Sequence, residues 1–590
     1  MNHRAPIQNP KSKIQNALCG VFGLLLLGAG CDNLGRAVPP EPAPPPKPPA
    51  EDLLRRGTIG AETLVTNAVS QPIRGFGLVI GLDGRGSGDC PTVIREYLVE
   101  FLTKQIGPRG AKERSKLPSP GEMIDSPDTA VVEVTALIPA GSRKGARVDL
   151  QVRALPGTAT QSLEGGLLLP TELRYFDRAA SGQGLVAGGV LAEGGGPVFV
   201  SPLPGDDAHA TLPDPRQGLV FGGARVLDEH PTRLMLVRPN YQLAQSIERR
   251  INERFGQRPK VAQAQSIGYV ELNTPAAFAR HPEYFRRLVA QLLLDNRPAV
   301  AEERLRELSR AALAGDADLE RIALSWEATG RAALPTVQPL YAHGDARVRL
   351  YAARTGARLG DVTALPVLGG LAAAGAAELR LRAIEELGRS DSPQAGTYLG
   401  PLLSGENQDI RVAAYEAILG HNHPGVRSTT FGHVLDPSQI NFALDVIECS
   451  GPPLIYVRQS RLARVAVFGS RLAVTPPVFY NHADDAVTIH TVTGADDLRV
   501  FTKVRGKLSD ELAVPPRVAD QVTALADRPQ RDAQDRLRGL GLPYSRVVRI
   551  LAALAKQEAL PAPLVAEPTA PSGWVGPEVS PDRPETEAQE

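Results

Sequence analysis

Gly75-Phe76-Gly77-Leu78-Val79-Ile80-Gly81-Leu82-Asp83-Gly84-Arg85-Gly86-Ser87-Gly88-Asp89 is a short apolar run that closes on a glycine-rich loop. A run of this kind, bounded by glycines, reads as a strand ending in a turn. Beyond the loop, Pro91 to Lys104 places Ile94, Leu98, Phe101 and Leu102 at helical spacing, so a helix follows. Glycines ahead of a helix N-terminus can cradle a phosphate. The spacing here fits neither G-x-G-x-x-G nor the phosphate loop ending in Lys-Ser/Thr, and the stretch has no lysine to reach a terminal phosphate. The loop reads as a structural turn.

Further along, Arg147-Val148-Asp149-Leu150-Gln151-Val152-Arg153-Ala154 alternates polar and apolar without error, the period of a strand with one face on a core. Ser162 to Thr171 reads as a turn leading into another strand. Leu234 to Asn240 is an apolar strand ending in a helix-start signal, and behind it Leu243, Ile247, Ile251 and Phe255 form one stripe of an amphipathic helix.

The 590 residues suggest three to five domains at roughly 100–200 residues each. With 65 Lys+Arg against 65 Asp+Glu, no net charge draws the chain toward nucleic acid or an anionic membrane. A hydrophobic content of 42% is enough for sizeable cores, and 57 glycines with 52 prolines imply many turns. The four cysteines, Cys19, Cys31, Cys90 and Cys449, include no pair at zinc-ligand spacing. Whether Cys90 and Cys449 pair with each other is left open.

Arg4, Lys11 and Lys13 precede the apolar run Val21 to Leu27, which ends in Gly28-Ala29-Gly30-Cys31. This is the layout of an export signal, with an apolar run too short for the roughly 20 residues of a membrane span. A cysteine directly after small residues resembles a bacterial lipoprotein signal, with Cys31 as the lipidated residue and Gly28 where such signals usually have leucine. An ordinary secretory signal that happens to end in cysteine is the alternative. The proline-rich stretch from Val38 to Ala50 reads as an extended tether, and the end of the chain as a disordered tail.

In this order, the segments resemble the flagellar basal-body P-ring family. Gly75 to Asp89 matches its glycine-framed opening. Lys144 to Leu173 matches its strand pair through Gly145, Asp149, Val152, Ser162, Leu163, Gly165, Gly166, Leu168 and Leu169, and Leu234 to Phe255 matches its strand-helix unit. Leu540 to Leu554 resembles the family's closing helix, and the strands around Leu454-Val457 and Ala466-Gly469 a degraded form of the block before it. The resemblance runs from Gly57 to Asn296 and from Asn441 to Leu564. It implies an α+β, strand-rich body and a periplasmic homo-oligomeric ring around the flagellar rod, near the outer-membrane ring proteins and the peptidoglycan layer.

Between those stretches lies a repeat. Leu340, Leu371 and Leu402 are 31 residues apart, as are Arg349, Arg380 and Arg411, with Val348/Leu379/Ile410 and Ala352/Ala383/Ala414 in the same register. Such a period predicts a HEAT-like all-α solenoid, in which the arginine ladder reads as each helix tied to a neighbouring repeat, with a groove for an anionic ligand as the alternative. The expected organisation is signal and lipidation site 1–31, tether 32–56, ring-like body 57–296, helical repeats 297–430, ring-like C-terminal region 431–565 and tail 566–590.

No catalytic, cofactor or metal site is expected. His421 and His423 flank Asn422 in a loop, His433 lies nearby, and Cys90 precedes a helix with Arg95 as its nearest basic residue. No G-x-S-x-G or H-E-x-x-H motif occurs. The expected function is a non-enzymatic ring subunit held to a membrane through its N-terminal lipid, with no nucleic-acid partner and an unidentified protein on the repeats. The alternative is a lipid-anchored periplasmic scaffold that reuses the fold outside the flagellum; a cell-wall enzyme has the least support.

Overall fold

The structure, a computed structural model, describes residues 54–106, 118–178, 185–203, 214–279, 281–315, 317–436, 438–460, 462–481, 487–492, 494–504, 507–508 and 510–567. Cys31, residues 32–53 of the expected tether and residues 568–590 of the expected tail lie outside them.

Strand β1 (Thr63–Thr66) is followed by β2 (Gln71–Ile80), the apolar run of the opening motif. Helix α1 (Thr92–Ile106) then leads to β3 (Thr129–Ile138), β4 (Arg147–Ala154), β5 (Leu167–Arg178), β6 (Leu185–Pro197) and β7 (Gln217–Val226). Strands β2 to β7 close into a six-stranded antiparallel barrel in the order β2-β3-β4-β7-β6-β5. The alternation seen in β4 becomes the barrel interior: Val148, Leu150, Val152 and Ala154 point inward with Val79, Val132, Leu168 and Val220. On the outside, Leu98 and Leu102 of α1 pack against Leu78, Val131 and Leu155.

A smaller antiparallel sheet, β1-β8-β10-β9, combines β1 with β8 (Thr232–Leu236), β9 (Ala262–Ala264) and β10 (Tyr269–Leu272). Helices α2 (Tyr241–Phe255) and α3 (Pro282–Ala290) cover one of its faces with Ile247, Ile251, Phe285 and Leu288. Asn240 caps α2 as expected, its side chain accepting from the Leu243 N–H at 3.1 Å. Asn252 is buried; its side-chain oxygen accepts from Val261 and Ala262 N–H while its amide donates to the Ala262 carbonyl, fastening α2 to β9.

Helices fill residues 298–418: α4 (Pro298–Ala312), α5 (Leu319–Thr329), α6 (Ala346–Arg358), α7 (Leu365–Ala374), α8 (Ala377–Arg389) and α9 (Gln408–Ile418), with short 3-10 turns between several of them. Helices α6, α8 and α9 begin 31 residues apart. Ala352, Ala383 and Ala414, one per period, are all fully buried among the packed helices. The arginines of the period act differently from expectation. Arg349 donates to the carbonyls of His343 and Gly344, Arg380 to Ala372 and Arg411 to Leu403. Each guanidinium thus turns back to the end of the preceding helical segment, where unpaired carbonyls collect, instead of reaching to a neighbouring repeat.

The strands resume at β11 (Val426–Gly432), followed by β12 (Ile440–Ile447), β13 (Leu454–Arg458) and β14 (Arg464–Phe468). A second sheet contains β15 (Phe479–Asn481), β16 (Val487–Thr491), β17 (Leu498–Val504), β18 (Lys507–Leu508) and β19 (Leu512–Val514). Helix α10 (Val518–Ala526), the ribbon of β20 (Gln530–Arg531) with β21 (Leu537–Arg538), and helix α11 (Tyr544–Lys556) precede the last strand, β22 (Leu564–Ala566). The first sheet is mixed, β11-β12-β14-β13-β22, with β12/β14 and β13/β22 parallel. Its two faces serve different cores. Ile447, Leu454, Tyr456, Ala466 and Phe468 pack with α7, α8 and α9, whereas Leu444, Ile455, Val465 and Val467 pack with α11 and the second sheet.

The closing helix starts at Tyr544, four residues later than the expected Leu540. Gly539 and Gly541 have positive φ, and Pro543, which lacks an N–H, stands at the cap. At the other end, Leu54 falls in the stretch expected as tether, yet it packs with Leu305, Leu308 and Trp326.

Candidate functional site

The barrel and the C-terminal region meet where the two separated stretches of the chain return to each other. The glycine-rich loop after β2 is built for that joint. Several of its backbone N–H groups are spent internally: Leu82 donates to Asp128, Gly86 to Pro127 and Ser87 to Thr129. A Cβ on Gly86 would lie 2.0 Å from the Thr129 carbonyl oxygen, so only glycine allows this approach. These donors serve the turn itself.

Arg85 of this loop reaches Glu164, donating to its side chain at 3.2 Å and to its carbonyl at 2.8 Å. Glu164 is only 4% exposed. From the far end of the chain, α11 adds Arg549 at 2.9 Å and Arg546 at 3.8 Å, with a hydrogen bond from Ser545. Burial by itself would raise the Glu164 pKa; Arg549, Ser545, Arg546 and Arg85 outweigh it and hold the carboxyl below its usual range. The next residue, Gly165, has φ +73°, and a Cβ there would press on Pro543 at 3.2 Å.

Aromatic packing continues the joint. Tyr544 lies with its ring centroid 5.3 Å from Phe199, which follows β6 of the barrel, and 5.2 Å from Phe442 of β12. Its hydroxyl donates to the carbonyls of Arg458 and Arg464. Ser201 donates to Gln459 at 2.5 Å. Beside this seam lies a cleft of about 1120 Å³, lined from the barrel side by Arg147, Gly196 and Phe221 and from the C-terminal side by Gln439, Ile440 and Tyr544.

His433 belongs to this seam and not to a metal cluster: Nε2 lies 3.3 Å from the Gly165 carbonyl, while Nδ1 accepts from the Leu435 N–H at 3.2 Å. These two bonds require the neutral Nε2–H tautomer. Burial pushes the imidazole below its ordinary pKa, against the hydrogen bond to Gly165 and the nearby Asp436. The unfolded chain therefore takes up a proton first as pH falls. Stability from this group is complete above the ordinary histidine value of about 6.5 and declines below it. Between pH 7 and 5.5, the thermal midpoint of the wild type is expected to fall more steeply than that of His433→Gln, which does not titrate. Equal slopes would contradict this role.

Of the other residues weighed from the sequence, His423 accepts from the Gly425 N–H within its own turn. Among the described residues, no three His, Cys, Asp or Glu side chains are placed to hold a metal ion. Cys90 and Cys449 are both free thiols, and burial pushes the Cys90 thiol up, away from an activated thiolate. Arg95 pairs with Asp125. No described helix is long and apolar enough to cross a membrane. Glu164 was not apparent as a site residue in the sequence, although Leu163 and the Gly165-Gly166 pair beside it mark a tightly packed turn.

These features define a multi-part α+β architecture: a barrel, a covered sheet and a helical segment joined to further sheets, with buried charges at the joints. Residues 63–301 match the Flagellar P-ring protein family. Among curated relatives, the Flagellar P-ring protein of Campylobacter lari is 33% identical over 243 residues, covering 40% of this chain and 62% of the relative. That of Ruegeria pomeroyi is 31% identical over 232 residues, covering 38% and 57%. That of Pseudomonas fluorescens Pf-5 is 29% identical over 249 residues, covering 40% and 62%. The chain thus spans about three fifths of the length of the curated relatives it matches. The family match contains the whole barrel and the small sheet, and it ends within α4.

Proposed function

We propose that this protein is a non-enzymatic subunit of a periplasmic ring around the flagellar rod, serving motility as part of the basal body. The observation carrying this reading is the match over residues 63–301, which takes in the complete barrel together with the small sheet. The Glu164 joint supports it: the returning helix is fixed to the barrel as a ring subunit requires, since self-association needs a rigid body. The sheet face turned away from α2 and α3 carries Leu64 and Met235, cross-strand partners that are both exposed, and a second copy of the chain is the proposed occupant.

The finer parts of the reading belong to the same proposal. Cys31 carries the lipid, the protein is anchored in the periplasm, and the helices of residues 298–418 form a HEAT-like array that presents a face to a further protein. The outer-membrane ring and the peptidoglycan layer are the expected neighbours.

A second reading is favoured by one observation: residues 302–567, with the helices and the C-terminal sheets, lie outside the family match. On that reading the protein is a lipid-anchored periplasmic scaffold that uses the barrel without a flagellum. Deletion of the gene separates the two. Loss of swimming, restored by the wild-type chain, together with rings of the purified protein in electron micrographs, is expected for the first. Normal swimming and normal basal bodies in the deletion strain would remove it and leave the second.

A further inference from the structure

Where the small-sheet body meets the helical segment, a cavity of about 460 Å³ is lined by Arg250, Arg254, Arg331 and Arg358, with Asn296 and Gly330 among the residues around them. Each of three arginines uses one nitrogen to hold a carbonyl near a helix C-terminus. Arg250 Nε donates to Leu293, Arg254 Nη2 to Glu327 and Arg331 Nε to Leu359. Helix capping accounts for those nitrogens. The rest of the Arg250 fork is taken by the Asn296 side-chain oxygen at 2.9 Å and by Glu253 at 3.6 Å, so the donors left to explain are those of Arg254 and Arg331. Arg254 Nε is buried without a hydrogen-bond partner and faces Gly330, where a Cβ would lie 3.7 Å from it. Arg331 is exposed at the rim.

The carboxylates nearby do not match these cations. Arg358 is committed to Glu386 at 2.7 Å and to Glu327 at 3.6 Å. Among the described residues lining the cavity, Glu253 is the one carboxylate, and it lies 3.6 Å from Arg250. Burial holds both Arg250 and Arg254 below the usual guanidinium range, against the opposing pull of Glu253 on the first and Glu327 on the second. A planar fork with free donors suits a two-oxygen anion geometrically.

We propose that this cavity binds a small oxyanion, a carboxylate or a phosphate, clasped between Arg254 and Arg331. Arg250, Arg254 and Asn296 come from the part of the chain that matches the family, whereas Gly330, Arg331 and Arg358 lie beyond it. The site therefore exists only where the helical segment docks on the body. It stands independently of the ring assignment.

Titration calorimetry on the full mature chain tests the proposal, with inorganic phosphate and glutarate as probes and sodium chloride at equal ionic strength as the reference. Saturable binding of either probe, with a dissociation constant on the order of millimolar, is expected. Arg331→Gln removes a rim donor without touching a core, and it should weaken binding roughly ten- to a hundredfold, as the loss of a charge-assisted hydrogen bond does. Arg254→Gln, checked for native circular dichroism, should do the same. Response to phosphate alone identifies a phosphate-bearing ligand, and response to glutarate alone a carboxylate. Binding of neither probe beyond chloride, or unchanged binding in Arg331→Gln, overturns the site.

Discussion

Glu164→Ala is expected to lower the unfolding free energy by about 3–5 kcal/mol, the cost of stranding buried charges when one partner of an ion cluster is removed. Three guanidiniums share that carboxylate, Arg85 from the barrel loop and Arg546 and Arg549 from α11, so a single substitution removes the counter-charge common to all three in a part-buried seam. Against the roughly 5–15 kcal/mol by which domains are stable, this is a large fraction. Urea unfolding at pH 7 measures it, and limited proteolysis should show earlier cleavage of the C-terminal region. The pH dependence has a definite sign. The folded carboxyl sits below its usual value, so its stabilisation is complete above about pH 4.3 and disappears as pH falls through the lower folded value. Glu164→Ala should flatten that acid limb. A loss under about 1 kcal/mol with an unchanged limb would show that the cluster is not a joint.

Excising residues 298–420 and bridging the gap with a flexible linker is expected to give aggregated protein. The helices cover one face of the mixed sheet, and their removal would bare Ile447, Leu454, Tyr456 and Phe468, all buried. At roughly 1.5–3 kcal/mol for each large side chain returned to water, the loss is on the order of 10 kcal/mol, comparable with the whole stability of a domain. Size-exclusion chromatography of the excised chain checks this; a soluble, monodisperse product with an unchanged thermal midpoint would refute it. A milder companion, Phe468→Ala, should cost about 3–5 kcal/mol, because the ring packs against Tyr415 of α9 and under the Arg411 guanidinium. These helices and the mixed sheet are thus two halves of a shared core.

Local pattern made much of this fold legible. The strict alternation of Arg147 to Ala154 announces a strand with one buried face, and the 31-residue ladder announces three alanines buried in identical positions. The glycine-rich loop reads as a structural turn, and in the fold Leu82, Gly86 and Ser87 spend their N–H groups on the 127–129 stretch. Barrel closure was not legible, because it depends on β2 pairing with β5, a register that neither strand carries in its own pattern. The ion cluster was hidden for a related reason. Glu164 and Arg549 are 385 residues apart, and a carboxylate in a short turn carries no mark of a partner at that distance. The repeat arginines were visible as a ladder, but their targets are set by where helix ends leave carbonyls unpaired, and that follows from packing.

Leu54 is plugged among Leu305, Leu308 and Trp326 at the root of the helices. A few residues on, the same segment is fastened to the small-sheet body instead, Leu294 N–H donating to the Gly57 carbonyl and Ile59 N–H to the Leu292 carbonyl. The first described residues are thus a clamp with one jaw in each part, and a cut between Leu54 and Ile59 would loosen the grip of the helices on the body without touching either core.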